Sequence, residues 1–113
     1  MIKYLKGILA QKSPTSAVVD VSGVGYGLSI SLLTYDQLPQ EGQSTQILTY
    51  QYVREDRLEL FGFADARERE MFEHLISISG IGPNSAQIIL SGMSLGDLLA
   101  AIVNERVGEL TSI

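Results

Sequence analysis

Cysteine and tryptophan are absent from the chain, and its 113 residues include one histidine and three prolines. Without cysteine there is no disulfide framework, no thiolate metal site and no cysteine nucleophile. The lone histidine, His74, flanks an apolar helical stripe. With no second histidine, neither a metal site nor a Ser/His/Asp arrangement is expected. No apolar run approaches the length of a membrane span, and Lys3 and Lys6 interrupt the start, so neither an anchor nor a signal peptide is read there. A glycine loop followed by a P-loop lysine is missing too. These absences predict a cytoplasmic, non-catalytic protein that needs no cofactor, metal or membrane.

What is present suits a globular protein, since 45 % of residues are hydrophobic and 19 % charged. The length fits one ordinary domain or two very small ones. Residues 1–63 read as strands: Ile2–Ala10, Ser16–Val21, Tyr26–Leu32, Thr45–Val53 and Leu58–Phe63 are rich in β-branched and aromatic residues. Turn chemistry separates them at Ser13-Pro14, Ser22-Gly23, Pro39 and Glu41-Gly42. Five short strands predict a small closed or partly closed barrel. Between the third and fourth, Thr34 to Gln37 has the S/T-x-x-E/Q capping spacing for one helical turn, which Pro39 stops. A five-stranded barrel with a helix at that place is the oligonucleotide/oligosaccharide-binding (OB) arrangement.

From Asp65 the apolar period becomes helical. Asp65-x-x-Glu68 is a capping pair, and Met71, Phe72, Leu75 and Ile76 fall on one face. Ala86, Ile89, Leu90 and Met93 carry the next stripe, ending near Gly92. A third helix is expected after the Ser94-x-x-Asp97 cap, with Leu95, Leu98, Leu99 and Ile102 facing inward, and a short fourth from Asn104 that buries Val107 and Leu110. The fold class is therefore α+β, a barrel domain over 1–63 and a helical domain over 64–113. Leu110 and Ile113 resume an apolar pattern just where the chain stops, so the helical domain is expected to be incomplete and the chain a fragment.

Between the first two helices stands Ser79-Gly80-Ile81-Gly82-Pro83-Asn84-Ser85, a helix-hairpin-helix signal. Gly80 and Gly82 lack the side chains that would hold a phosphate away, and the turn leaves backbone N–H groups pointing outward at the start of a helix. Those amides and the positive end of the helix dipole make an anion seat that needs no lysine. Pro83 suits the first helical position, where its missing N–H has no partner to lose. The competing reading is a close-packed interhelical turn with no ligand.

Charge opposes a nucleic-acid reading at first sight. Net charge is −5, made of −1 over residues 1–63 (five Lys/Arg, six Asp/Glu) and −4 over 64–113 (three against seven). Either backbone amides make the phosphate contact, or basic residues lie outside this sequence, or the chain is no DNA binder. Arg54-Glu55-Asp56-Arg57 should form the tip of a hairpin between the last two strands. It is a solvated turn unless held against a phosphate backbone, where the carboxylates would repel and steer strands. Gly23-Val24-Gly25-Tyr26-Gly27 has its third glycine too early for a dinucleotide fingerprint and no helix after it. The lysine and aspartate of helix-hairpin-helix glycosylases also lack counterparts, for Asn84 holds the hairpin position and Asp97 comes too early.

Several segments in order resemble the RuvA family, the Holliday-junction-binding subunits of the bacterial branch-migration complex. They are Met1-Ile2 through Gly7-Ile8, Val21-x-Gly23-Val24-Gly25-Tyr26, Val53-Arg54-Glu55-Asp56, Phe61-Gly62-Phe63, and Gly80-x-Gly82-Pro83 followed by Leu90-Ser91-Gly92-Met93. The resemblance implies a homotetramer, or an octamer on DNA, gripping a four-way junction in recombination and repair. A separate hexameric ATPase motor would drive migration, and a junction resolvase is a further partner. It also implies that Glu55 and Asp56 are an acidic pin at the junction centre, supported by Arg54, and that Ser79 to Ser85 is the first phosphate-gripping hairpin. Asn84 departs from the family's usual lysine, which removes a counterion-releasing charge. A second lysine-bearing hairpin and the C-terminal module that contacts the motor have no counterpart in this sequence.

Two other functions remain open at this point. A protein-interaction module would use the barrel and the hairpin glycines for oligomer packing alone. A general single-strand binder would stack bases on Tyr4, Tyr50 and Tyr52 along a basic groove.

Overall fold

The computed structural model describes residues 1–92. The chain divides into two compact units, Met1–Ala66 and a second that begins at Arg67. In the first, β1 (Tyr4–Ser13), β2 (Ser16–Val21), β3 (Val24–Ile30), α1 (Leu32–Gln37), β4 (Ser44–Arg54) and β5 (Arg57–Phe63) follow one another. The strands close a barrel in the order β1-β2-β3-β5-β4, the OB arrangement expected from the strand count and the helix position. Closure comes from one short parallel contact, Ser29 opposite Phe61 and Ile30 opposite Gly62.

Alternation along each strand sends one set of side chains inward. Leu5, Leu9, Ala17, Val19, Leu28, Ile30, Ile47 and Leu60 form the barrel core, joined by Leu38 from the end of α1. Each large aliphatic buried there contributes about 1.5–3 kcal/mol. Two glycines make room: a Cβ on Gly62 would stand 2.8 Å from Ile47 Cδ1 and 3.1 Å from Leu28 Cδ1, and one on Gly7 would strike the carbonyl oxygen of Asp20.

β1 is shifted from the expected span. Ahead of its first residue Ile2 and Lys3 are tied to β4: the Ile2 N–H donates to Gln51 Oε1 at 2.8 Å, Thr49 Oγ1 donates to the Ile2 carbonyl at 2.7 Å, and the Thr49 N–H donates to the Lys3 carbonyl at 2.9 Å. Its end runs past a register shift between Leu9 and Gln11 to pair with β2 as far as Ser13 and Ser16. The helix α1 is capped by Ser31, whose side chain accepts from the Thr34 N–H at 3.2 Å, and not by Thr34. Thr34 is fully buried, and its Oγ1 instead accepts from the Ala64 N–H at 3.2 Å, tying α1 to the end of β5. Both hydroxyl residues are fully buried, and what distinguishes them is the N–H each accepts from.

The second unit contains α3 (Pro83–Gly92) and all of α2 (Ala66–Ile76) but its first residue. Met71, Phe72 and Leu75 of the first stripe are buried and Ile76 is partly so; Ala86, Ile89 and Leu90 of the second are buried. Met93 and the helices expected from Ser94 and Asn104 lie outside the described residues. Among the described residues no helix is long and apolar enough to cross a membrane.

Candidate nucleic-acid interface

The turn between α2 and α3 is built by ordinary chain-reversal chemistry. The last turn of α2 tightens, with the Ser77 N–H donating to the carbonyls of Glu73 and His74, and the Ile78 N–H to that of Leu75 at 3.1 Å. Gly80 then takes a φ of 91°, the left-handed region that a side chain disfavours, which lets the chain reverse. Ile81 is buried at 5 % exposure and its N–H donates to the Ile78 carbonyl at 3.1 Å, so its side chain anchors the turn from within. Pro83 opens α3, and the Gly82 carbonyl accepts the first helical bond from the Ala86 N–H at 2.9 Å.

What this leaves outside is a set of unengaged donors. Among the described residues the N–H groups of Gly82, Asn84 and Ser85 make no hydrogen bond, as the first turn of a helix requires unless something caps it. Gly82, Asn84 and Ser85 are exposed, and so are Ser79 and Gly80, while Pro83 is half-buried. No acidic residue stands in the first turn of α3 to offset the positive end of its dipole. Gly82 is the informative position. It lacks a positive φ, and a Cβ there would meet nothing within 4 Å. Neither backbone conformation nor packing among the described residues asks for glycine at that place, as is true also of Gly27 on β3, so the turn is not held close by a glycine contact at Gly82.

The second group lies at the far end of the barrel's longest hairpin. β4 and β5 pair without interruption from Leu48 opposite Phe63 to Arg54 opposite Arg57, leaving Glu55 and Asp56 as a two-residue tip. Glu55 has a φ of 52°. A non-glycine residue there is strained by on the order of 1 kcal/mol, where Gly or Asn would be the natural turn residue. Both acids are exposed, and among the described residues neither carboxylate has an ion pair or hydrogen bond. Arg57 Nη2 reaches back to Glu59 Oε1 at 3.2 Å, and Arg54 Nη1 donates to the Tyr52 hydroxyl at 3.4 Å. Sequence reasoning singled out Arg54, Glu55 and Asp56 but passed over Tyr52 and Glu59 as their neighbours. The two-residue alternation on either side of the tip was the signal that could have found them.

Other candidates are placed without being gathered into a site. His74 is exposed on α2, and among the described residues no group of His, Asp and Glu is arranged to hold a metal ion. Ser22 and Gly23, with φ of 53° and 92°, form the tight turn between β2 and β3, so the glycines from Gly23 to Gly27 belong to a hairpin. Tyr4 is exposed on β1, opposite Leu48 of β4 on the outer barrel face, with Tyr50 and Tyr52 following at two-residue intervals.

The chain is similar to known proteins along its whole length. A family model described as the RuvA N terminal domain matches residues 1–62, and one described as a SAM-like helix-hairpin-helix tandem matches residues 72–113. Three relatives share the printed name Holliday junction branch migration complex subunit RuvA. The protein from Chloroherpeton thalassium is 50 % identical over 98 % of this chain and 56 % of its own length. That from Chlorobium phaeobacteroides is 47 % identical over 100 % of this chain and 58 % of its own length. That from Dechloromonas aromatica is 46 % identical over 100 % and 59 % respectively. The chain thus spans a little over half the length of the curated relatives it matches. A barrel matched from its first residue, continued by a helix-hairpin-helix match and by relatives alike across the whole chain, shows that the chain belongs to the RuvA family.

Proposed function

We propose that this chain is the junction-gripping part of a non-catalytic subunit that binds four-way DNA junctions by shape. The observation that carries the reading is the open seat at Gly82, Asn84 and Ser85, where free N–H groups, an uncompensated helix dipole and unfilled space coincide. Amides of this kind grip phosphate oxygens, which carry no base information, so recognition is structure-specific and not sequence-specific. It also accommodates the net charge of −5, since the seat itself needs no basic side chain.

In this reading the barrel domain, residues 1–63, carries Glu55 and Asp56 to the junction centre as an acidic pin with Arg54 in support. The helical domain from residue 64 lays Ser79 to Ser85 on a duplex arm, with Ile81 anchoring the turn from within by its buried side chain and its N–H bond to Ile78. Fourfold assembly, or two tetramers enclosing the junction, would set the acids of neighbouring subunits around the crossover. The names of the relatives support a place in a branch-migration complex; the family resemblance adds a cytoplasmic setting, a hexameric ATPase that supplies the work and a resolvase that follows. The single-strand alternative is less well supported, because the exposed aromatic face leads directly to an acidic tip. The test is the affinity of the full-length protein for a four-way junction against linear duplex of equal length. The junction should bind at least about a thousandfold tighter, the low end of the range by which specific complexes exceed non-specific ones; equal affinities end the proposal.

A further inference from the structure

We infer that Glu59 and Tyr52 are positioning residues of the acidic tip, holding the flanking arginines back so that Glu55 and Asp56 face outward uncompensated. The inference rests on the pin reading above for its functional meaning, but its physical basis is the hairpin itself.

The tip sequence Arg54-Glu55-Asp56-Arg57 is formally neutral. Two long guanidinium side chains adjoin two short carboxylates, and folding each arginine onto its neighbour would cancel the charge that a pin needs. Neither arginine does so. Arg57 is drawn to Glu59 at 3.2 Å and Arg54 to the Tyr52 hydroxyl at 3.4 Å, each one step back along its own strand. Register explains the choice. Arg54 stands opposite Arg57, and Tyr52 opposite Glu59, so alternation puts all four on one face of the ribbon. Like charges directly opposite repel, and the nearest partners on that face lie away from the tip.

Charge is thereby sorted along the hairpin. Glu59 supplies the counter-charge for Arg57 behind the tip, and Glu55 with Asp56 remain as the outermost groups, within a Debye length of any phosphate that touches them. Counting Arg54, Glu55, Asp56, Arg57 and Glu59 together gives two positive and three negative groups, net −1, so Glu59 is what leaves the end of the hairpin negative.

The experiment is a double-mutant cycle of Glu59→Gln and Arg57→Gln in the full chain. The readout is the local potential at the Glu55 and Asp56 amide protons, measured by NMR from relaxation enhancement by cationic against anionic nitroxide co-solutes. Glu59→Gln removes a carboxylate in both backgrounds, but only with Arg57 present does it also release a guanidinium toward the tip. The ratio of cationic to anionic enhancement should therefore fall about twofold to fivefold further with Arg57 than with Gln at position 57, the range expected for an exposed ion pair. Equal changes in the two backgrounds overturn the inference. Tyr52→Phe should act in the same direction through Arg54, and less strongly. With four-way junction DNA, Glu59→Gln should tighten static binding about twofold to fivefold only when Arg57 is present. If the potential moves as stated and junction affinity does not, the positioning role stands and the pin reading fails.

Discussion

In the barrel, Gly7 lies against the Asp20 carbonyl and Gly62 beneath Ile47 and Leu28, whereas Gly82 in the helical hairpin has nothing within 4 Å of the place a Cβ would occupy. The first two are glycines because the fold has no room; the third is glycine although the fold has room to spare. That difference separates glycines that the protein's own packing requires from glycines that it does not, and in the proposed reading Gly82 is kept clear for a phosphate. The same contrast runs through the charged groups. Arg57 and Glu59 satisfy each other on the flank of the β4–β5 ribbon, while Glu55 and Asp56 sit at its end without partners among the described residues, Glu55 in a conformation that glycine would fill better.

The contrast breaks most visibly at Gly7. Gly7→Ala drives a methyl group into backbone that cannot swing aside, and should cost about 3 kcal/mol of unfolding free energy, read from chemical denaturation. A loss under 1 kcal/mol would mean the β1–β2 approach is looser than described. Gly82→Ala should reverse the pattern, leaving stability within about 0.5 kcal/mol while weakening junction binding by about tenfold, the worth of a charge-assisted hydrogen bond or two. If stability falls and binding holds, the turn serves packing after all. The smallest effect sharpens the comparison at the pin: Glu55→Gly should raise stability by about 1 kcal/mol through relief of the positive φ. Calorimetry on that variant decides whether the acid stays there against local preference, as a functional residue would.

Much of this was legible before any coordinates. Pattern and turn chemistry located five strands and the three described helices, since period two and period 3.6 are imposed by backbone geometry. Pro83 as first helical residue and Glu55-Asp56 as a hairpin tip followed from local rules and held. The cap of α1 did not, because Ser31 and Thr34 are both hydroxyl residues and both fully buried, and they differ only in the N–H each accepts from, that of Thr34 for Ser31 and that of Ala64 for Thr34. Ile81 was grouped with the phosphate-facing turn by position, yet its side chain is buried, a distinction that spacing cannot draw.

Local sequence by itself therefore determined the alternation, the turns and the order of elements, because each depends on a few consecutive residues. Tertiary structure alone decided three things: that β3 closes on β5, that Gly82 stands clear while Gly7 and Gly62 do not, and that Tyr52 and Glu59 share a face with the arginines of the tip. Each of these depends on strands meeting in register or on what comes to lie around a position, and packing sets both.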